Sequence, residues 1–345
     1  MPTRRLPILL LTIFVLPTCT PAAEPEAAHR TIQFGSEKIL NACWSKEQLR
    51  GKPAEKTITY RQSRAGKGPP PGLPLRTTLP AIPATLEGSI RSVVLPDPDK
   101  KLVALTFDLC ERQVEKTGYD AAVINYLRDN NIPATFFISG KWMRSHPAKT
   151  KQLMADPLFE IGNHSWNHPV LFDVTEQEFR NQVLWTQVQY ETLREELKTT
   201  LPKCGLPASE IDNIPNVPVM FRFPYGVCQQ DMLQQVRDLG LTSIQWNIVT
   251  ADPWKKQSAE GIADIIRRQI KPGSIIIAHA NGRGRTTGNA LPIIIPELIE
   301  KGYQFVTVTQ LLQAGKVMAS DNCYELKPGD NLRYTKKREK TPEKP

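Results

Sequence analysis

From Lys101 to Ala314 the chain alternates short apolar runs with stretches of helical spacing. Leu102-Val103-Ala104-Leu105-Thr106-Phe107 reads as a buried strand. Ala122, Ile124 and Leu127 then give helical spacing over Tyr119–Asn130. The same logic predicts strands at Ala134–Ile138, Glu160–Asn163, Met220–Phe223, Thr242–Val249, Ser274–Ala278 and Gln304–Val308. Between them it predicts helices over Pro147–Ala155, Thr175–Lys198, Gln230–Leu239, Ser258–Ile270 and Ala290–Glu300, with a last helix starting at Thr309. Strands that alternate with helices in this way argue for parallel pairing with helical crossovers, hence an α/β fold. About seven such units can close into a barrel or form an open doubly wound sheet. No Gly-rich phosphate loop follows the first strand, which removes the support for dinucleotide binding. The barrel is the preferred architecture.

The flanks read differently. Arg4-Arg5 followed by the apolar stretch Leu6–Leu16 and small residues up to Ala23 has the form of a secretory signal peptide, too short to span a bilayer. Cleavage after Ala22 or Ala23 is expected, in preference to lipid anchoring at Cys19, and no second apolar run is long enough to span. Residues 24–99 read as an irregular N-terminal extension with a Pro/Gly-rich linker at 51–75, apart from one strand near Ser92–Leu95. Residues 100–315 form the expected barrel, and 316–345 a C-terminal extension with a basic, disordered tail.

Charge does not redirect this picture. The net charge is +9, but residues 1–23 carry two Arg and no acid, and residues 333–345 carry six bases and two acids. The excess sits at the ends rather than on a folded face interleaved with aromatics, which argues against nucleic acid as a partner. Export implies an oxidising compartment, secreted or periplasmic. Five Cys would remain in the mature chain, at 43, 110, 204, 228 and 323. A Cys43–Cys323 clasp of the two flanks with a Cys204–Cys228 loop is one pairing that the spacing allows, leaving Cys110 over.

In a βα barrel the reactive groups stand on loops that follow the strands. Those positions hold Asp108, His164 and His168, Arg222 and Tyr225, Asp252 and Trp254, and His279 after Ile277. Three of the chain's five His fall in this set. Each residue has an ordinary structural explanation: Asp108 a helix cap, Arg222 an ion-pair partner, Asp252 before Pro253 a turn former, His279 a satisfied core histidine. His164 and His168, four apart, would face one way on a helical turn and can chelate. The joint pattern lifts the functional reading above these. Trp142, Trp166, Trp246 and Trp254 are candidates for a sugar-stacking cleft.

Five motifs occur in order: Thr106-Phe107-Asp108, His164-Ser165-Trp166-Asn167-His168, Arg222-Phe223-Pro224-Tyr225, Asp252 with Trp254, and Ala278-His279. With Pro133-Ala134-Thr135-Phe136-Phe137 and Glu160-Ile161-Gly162-Asn163 they resemble the polysaccharide deacetylases of carbohydrate esterase family 4, over about residues 100–315. The resemblance implies a distorted (β/α)7 TIM-like barrel. It also implies an exported hydrolase that removes N-acetyl groups from an amino-sugar glycan such as peptidoglycan, a chitin-like chain or an exopolysaccharide. It assigns Asp108 as general base paired with Arg222, and His279 as general acid oriented by Asp252. The backbone N–H of Tyr225 would serve the oxyanion, and Trp254 with Ile277 would wall the acetyl methyl.

The sequence departs from the family at the metal. The usual second Asp at the end of the first strand, a ligand of the divalent ion together with His164 and His168, is Leu109 here. Leu has no lone pair, and catalytic zinc sites normally take three protein ligands. Cys110 and Glu111 are the nearest substitutes. Cys110 shares the face of Asp108 if the strand continues, and its thiolate suits zinc or a cobalt-like ion, whereas Glu111 suits a harder one. A divalent metal with a substituted shell is therefore expected slightly ahead of a metal-free site. Two further readings compete with the hydrolase. One is a glycan-binding protein with a degenerate, inactive site. The other is a metal-free hydrolase of a small amide.

Overall fold

In the central strand, side-chain alternation sorts two cores. The strands are β1 (Thr59–Tyr60), β2 (Ser89–Val94), β3 (Lys101–Leu109), β4 (Glu115–Lys116), β5 (Ala134–Ile138), β6 (Phe159–Asn163), β7 (Met220–Phe221), β8 (Thr242–Ile244), β9 (Ile248–Val249), β10 (Ile275–His279), β11 (Tyr303–Val306) and β12 (Lys316–Ser320). The helices are α1 (Glu37–Cys43), α2 (Lys46–Leu49), α3 (Ala121–Asp129), α4 (Gly140–Ser145), α5 (Pro147–Ala155), α6 (Glu176–Thr200), α7 (Gln230–Asp238), α8 (Ala259–Gln269), α9 (Thr287–Glu300) and α10 (Val308–Gln313). From β3, Val103, Leu105, Phe107 and Leu109 enter the large core shared with α3, α8 and α9. Leu102 and Ala104 enter a smaller core with Phe137, Ile275 and Ile277. Successive strand residues point to opposite faces, so Thr106 and Asp108 share the face of Leu102 and Ala104. The same parity puts His279 with Ile275 and Ile277.

This computed structural model describes residues 34–60, 68–70 and 75–331, which belong to one compact unit. The expected signal peptide, Cys19 and the basic tail lie outside the described residues. Parallel pairing runs from β8 through β7, β6, β5 and β3 to β10 and β9, with β11 on the first half of β3. The ends of this path meet in the chain, because only residues 245–247 separate β8 from β9. The expected single strand Thr242–Val249 is thus broken: its first half lies on β7 and its second half on β10. That break curls the mixed α/β sheet round as a distorted barrel. β2 spans the gap, where Ile90 O accepts from Gln245 N at 2.7 Å and Val93 N donates to Gly273 O at 2.9 Å. β12 then adds antiparallel to β2.

Local sequence explains the helix starts. Thr175 and Glu178 exchange side-chain to backbone bonds as a capping box at the start of α6, and Ser258 caps α8. The N-terminal segment, read from sequence as irregular, supplies α1, α2 and β1 as well as β2.

The expected cysteine pairing is corrected. Cys43 is bonded to Cys204 and Cys228 to Cys323, while Cys110 is free and buried. Cys43 closes α1, which packs on the turn Leu201–Cys204 that follows α6. Cys323 follows β12 and joins the small core of Phe223, Val227 and Cys228. Sheet pairing, invisible in the spacing of the Cys, decides the partners.

Candidate active site

Asp108 is the penultimate residue of β3 and His279 the last of β10, and the two are direct register partners on adjacent parallel strands. Both line one cleft of about 240 Å³ at the carboxyl ends of the strands. β7 leads into Arg222, which is fully buried. Its Nη1 donates to Asp108 Oδ1 at 2.9 Å and to Thr106 Oγ1 at 2.8 Å. Nε and Nη2 reach the carbonyls of Ile244 and Gln245 at 3.3 and 3.2 Å, made available by the strand break, and the guanidinium lies 3.9 Å from the centre of the Phe137 ring. One oxygen of Asp108 is therefore committed. The other, Oδ2, has His164 Nε2 at 3.4 Å.

Asp252 is a buried hub. It accepts from His279 Nδ1 at 2.9 Å through Oδ1, and from His279 N at 2.7 Å and Thr287 Oγ1 at 2.6 Å through Oδ2. Thr250 Oγ1 also donates to Oδ1 at 3.2 Å. This fixes the tautomer: Nδ1 of His279 carries its proton toward Asp252, and Nε2 is the remaining ring nitrogen. Burial opposes a charged His279, yet the Asp252 carboxylate overrides it and raises the imidazole above its ordinary pKa of 6.5.

Burial also opposes ionisation of Asp108, but His164, Arg222 and His279 together hold its carboxyl below the usual value. Burial pushes His164 itself toward neutrality, so the Arg222 guanidinium and the raised His279 are the cations that count. His164 Nδ1 donates to Arg222 O at 2.9 Å, which leaves a lone pair on Nε2. The pair of imidazoles does not sit on a helical turn as the spacing suggested. Ser165 and His168 both adopt positive φ, 64° and 54°, and the rings meet edge-on with centroids 4.8 Å apart.

The remaining cleft residues divide. Tyr225, at φ 60°, packs its ring against His168 with centroids 4.4 Å apart. Trp254 is 62% exposed at the cleft, and Ile277 and Trp246 line it. Trp142 and Trp166 are fully buried and are not cleft residues; Trp142 donates its indole N–H to Gly118 O at 2.9 Å.

A family profile described as polysaccharide deacetylase matches residues 96–244. A peptidoglycan-N-acetylglucosamine deacetylase of Bacillus cereus is 31% identical over 220 residues, covering 63% of this chain and 70% of the relative. This chain belongs to the polysaccharide deacetylase family. The reaction class of the deacetylase is accordingly N-deacetylation. The peptidoglycan-N-acetylmuramic acid deacetylase PdaC of Bacillus subtilis is 29% identical over 226 residues, 64% of this chain and 40% of PdaC, so under half of that relative is spanned. A solved peptidoglycan N-acetylglucosamine deacetylase matches with a TM-score of 0.54 at 29% identity, over 66% of this chain and 93% of that one.

Family membership implies a divalent metal, and the donor atoms at the cleft decide whether one fits. His164 Nε2 and His168 Nδ1 are buried without a hydrogen-bond partner, as atoms awaiting a ligand often are. The rest of the donor set fails. Leu109 is fully buried in the large core, on the far side of β3 from Asp108. Glu111, one expected substitute, is taken by Lys141 Nζ at 2.9 Å, Ser145 Oγ at 2.5 Å and Thr117 N at 3.0 Å. Cys110, the other, does line the cleft, but burial pushes its thiol up to about 11 and Asn281 Nδ2 lies 3.4 Å from Sγ. Burial above all, with the cations Arg283, His279 and Arg112 nearby, holds His168 well below its ordinary pKa. Among the described residues no group of three ligating side chains occurs. The deacetylase does not fit a three-ligand metal site.

Sequence reasoning passed over Arg112 and Arg283, which line the cleft and share the buried Glu115. Each lies four residues beyond a strand-end residue, Asp108 and His279. Basic residues at matching offsets in post-strand loops were the available signal. Thr250 and Thr287, which hold Asp252, gave none.

Proposed function

We propose that the deacetylase is an exported hydrolase of peptidoglycan that removes an N-acetyl group from an amino sugar, with Asp108 as general base and His279 as general acid. The observation that carries this reading is the register pairing of Asp108 with His279, each held by a partner of opposite charge and both lining one cleft. Water against Asp108 Oδ2 gives up a proton to the carboxylate as its oxygen attacks the amide carbonyl carbon. The C–N bond then breaks while the Nε2 proton of His279 passes to the nitrogen. Acetate and a free amine leave. Arg222 keeps Asp108 ionised and oriented, and Asp252 keeps His279 charged and in one tautomer. The neutral His164 and His168 border the water. The Tyr225 backbone N–H serves the developing oxyanion, and Ile277 with Trp254 walls the methyl group. Each acid–base or oxyanion group contributes on the order of 10²–10⁴ in rate.

The names of the relatives support peptidoglycan as the polymer. Two disulfides suit an oxidising compartment, and among the described residues no helix is long and apolar enough to cross a membrane. The test is acetate and free amine measured together after incubation with purified peptidoglycan glycan strands. Equal amounts of both are expected. Binding of the strands with no acetate would overturn the hydrolase and favour the glycan-binding reading, to which Leu109 lends weight.

A further inference from the structure

Beyond Pro253 and Arg283, which line the cleft, lies a second hollow that the same two residues also line, together with Lys56, Ile58, Tyr60, Gly282 and Arg285. Its outer wall comes from the N-terminal segment. There β1 pairs antiparallel with β4, Glu55 O accepts from Tyr119 N at 2.7 Å, and Lys56 Nζ donates to Arg285 O at 3.0 Å. Gly282 has φ 89°, and a Cβ there would lie 2.1 Å from Lys56 O. The segment therefore rests directly on the loop that follows His279, and only glycine permits that contact.

Among the described residues lining this hollow three are cations and none is an acid. Lys56 is matched by buried Asp120 at 2.8 Å. Arg283 shares the fully buried Glu115 with Arg112. Arg285 is exposed and has no acidic partner among the described residues. Four cations thus meet two carboxylates along one wall running out of the cleft. Of the acids that line the cleft, Asp108 is engaged with Arg222 and Asp252 with His279, and Glu325 lines the cleft but not the second hollow. Tyr60, 70% exposed on the same wall, offers a flat face to a sugar ring.

The geometry points to a carboxylate subsite: the deacetylase takes an acidic N-acetylated glycan, its carboxylate seated on Arg283 and Arg285 beside Lys56 and its ring against Tyr60. Guanidinium groups suit a carboxylate because two parallel N–H donors match its two oxygens. This deepens the hydrolase reading and rests on it. The carboxylate belongs either to a muramoyl side chain or to a uronic acid within the polymer.

The test compares kcat/KM for acetate release on three substrates: a neutral N-acetylglucosamine oligomer, a muramoyl-containing glycan strand, and a polymer alternating N-acetylglucosamine with uronic acid. The wild type is expected to favour at least one acidic substrate over the neutral oligomer by about tenfold at low salt. Arg285→Glu should cut that ratio about three- to tenfold, mainly through KM, and 0.5 M salt, roughly a Debye length of a few ångströms, should do the same. Arg268→Glu, an equal charge change at an exposed position of α8, should leave the ratio unchanged. Whichever acidic substrate shows the preference identifies the source of the carboxylate. Equal kcat/KM on all three, or a ratio indifferent to Arg285→Glu, overturns the subsite while leaving the hydrolase intact. No acetate from any substrate overturns the hydrolase. Binding by the Asp108→Asn variant, measured by calorimetry with the same three glycans, then still decides the subsite: no preference for an acidic glycan refutes it.

Discussion

Replacing Asp252 by Asn tests how the acid is set. The carboxylate accepts from the His279 backbone N–H and Thr287 on Oδ2, and from His279 Nδ1 and Thr250 on Oδ1. A backbone N–H is a donor only, so the Asn oxygen must stay on that side. The Asn NH2 then faces His279 Nδ1, which has to become an acceptor. The ring is driven to the neutral Nε2–H tautomer, and burial acts on a charge that has lost the support of Asp252 and keeps only the weaker pull of Asp108. The pKa of His279 falls. Above that pKa each unit of lowering removes about tenfold of the protonated acid. We expect kcat/KM near pH 7 to drop by about 10²–10⁴. The alkaline limb of the profile should move to lower pH, while the acidic limb, set by Asp108 with its carboxyl held low by Arg222, stays in place. Loss of the charge-assisted bonds should cost about 1–3 kcal/mol of stability, read in a urea melt. The assay is acetate release against pH on folded protein. An alkaline limb in its original position, with kcat/KM within threefold of wild type, refutes the role given to Asp252.

Arg222→Lys should lower activity at least about tenfold and stability by about 2–4 kcal/mol, because one ammonium cannot serve Asp108, Thr106 and two carbonyls together; acetate release and a denaturant melt check both. With two imidazoles and, among the described residues, no group of three ligating side chains, purified protein should hold well under one zinc per chain by elemental analysis, and a chelator should leave acetate release within about twofold. One tightly held ion, lost together with activity, contradicts this. Removing the Cys228–Cys323 bridge with Cys228→Ser and Cys323→Ser should cost about 2–5 kcal/mol, since it closes a separation of 95 residues, and thermal melts with and without reductant measure it.

The parts of the fold legible in the sequence are those that physics makes local. β5 occupies Ala134–Ile138 as expected, because a central parallel strand is apolar on both faces and shows as an unbroken run. α5 likewise spans Pro147–Ala155, opened by its own Pro. Strand-end polar residues were visible because a barrel exposes the ends of its strands. Other features depend on partners distant in the chain. The break at residues 245–247 exists because β2 and β10 draw the backbone two ways. α4 is six residues long, too short for periodicity to show, and starts at a Ser139 cap. The disulfide partners follow from α1 meeting the turn after α6 and from β12 pairing with β2. The fate of Glu111 turned on Lys141, thirty residues away on α4. The wall formed by residues 53–60 sits in a stretch whose composition reads as linker, and its contacts with Gly282, Tyr119 and β4 give it a place.

The most direct measurement sets wild type against Asp108→Asn on one purified peptidoglycan preparation, following acetate and free amine together. Wild type should yield both in equal amounts. The nearly isosteric variant, with an unchanged circular dichroism spectrum, should fall by at least about 10³, because its amide cannot take the proton of water. Acetate release by the variant at close to the wild-type rate would mean that Asp108 is not the base and that the chemistry lies elsewhere.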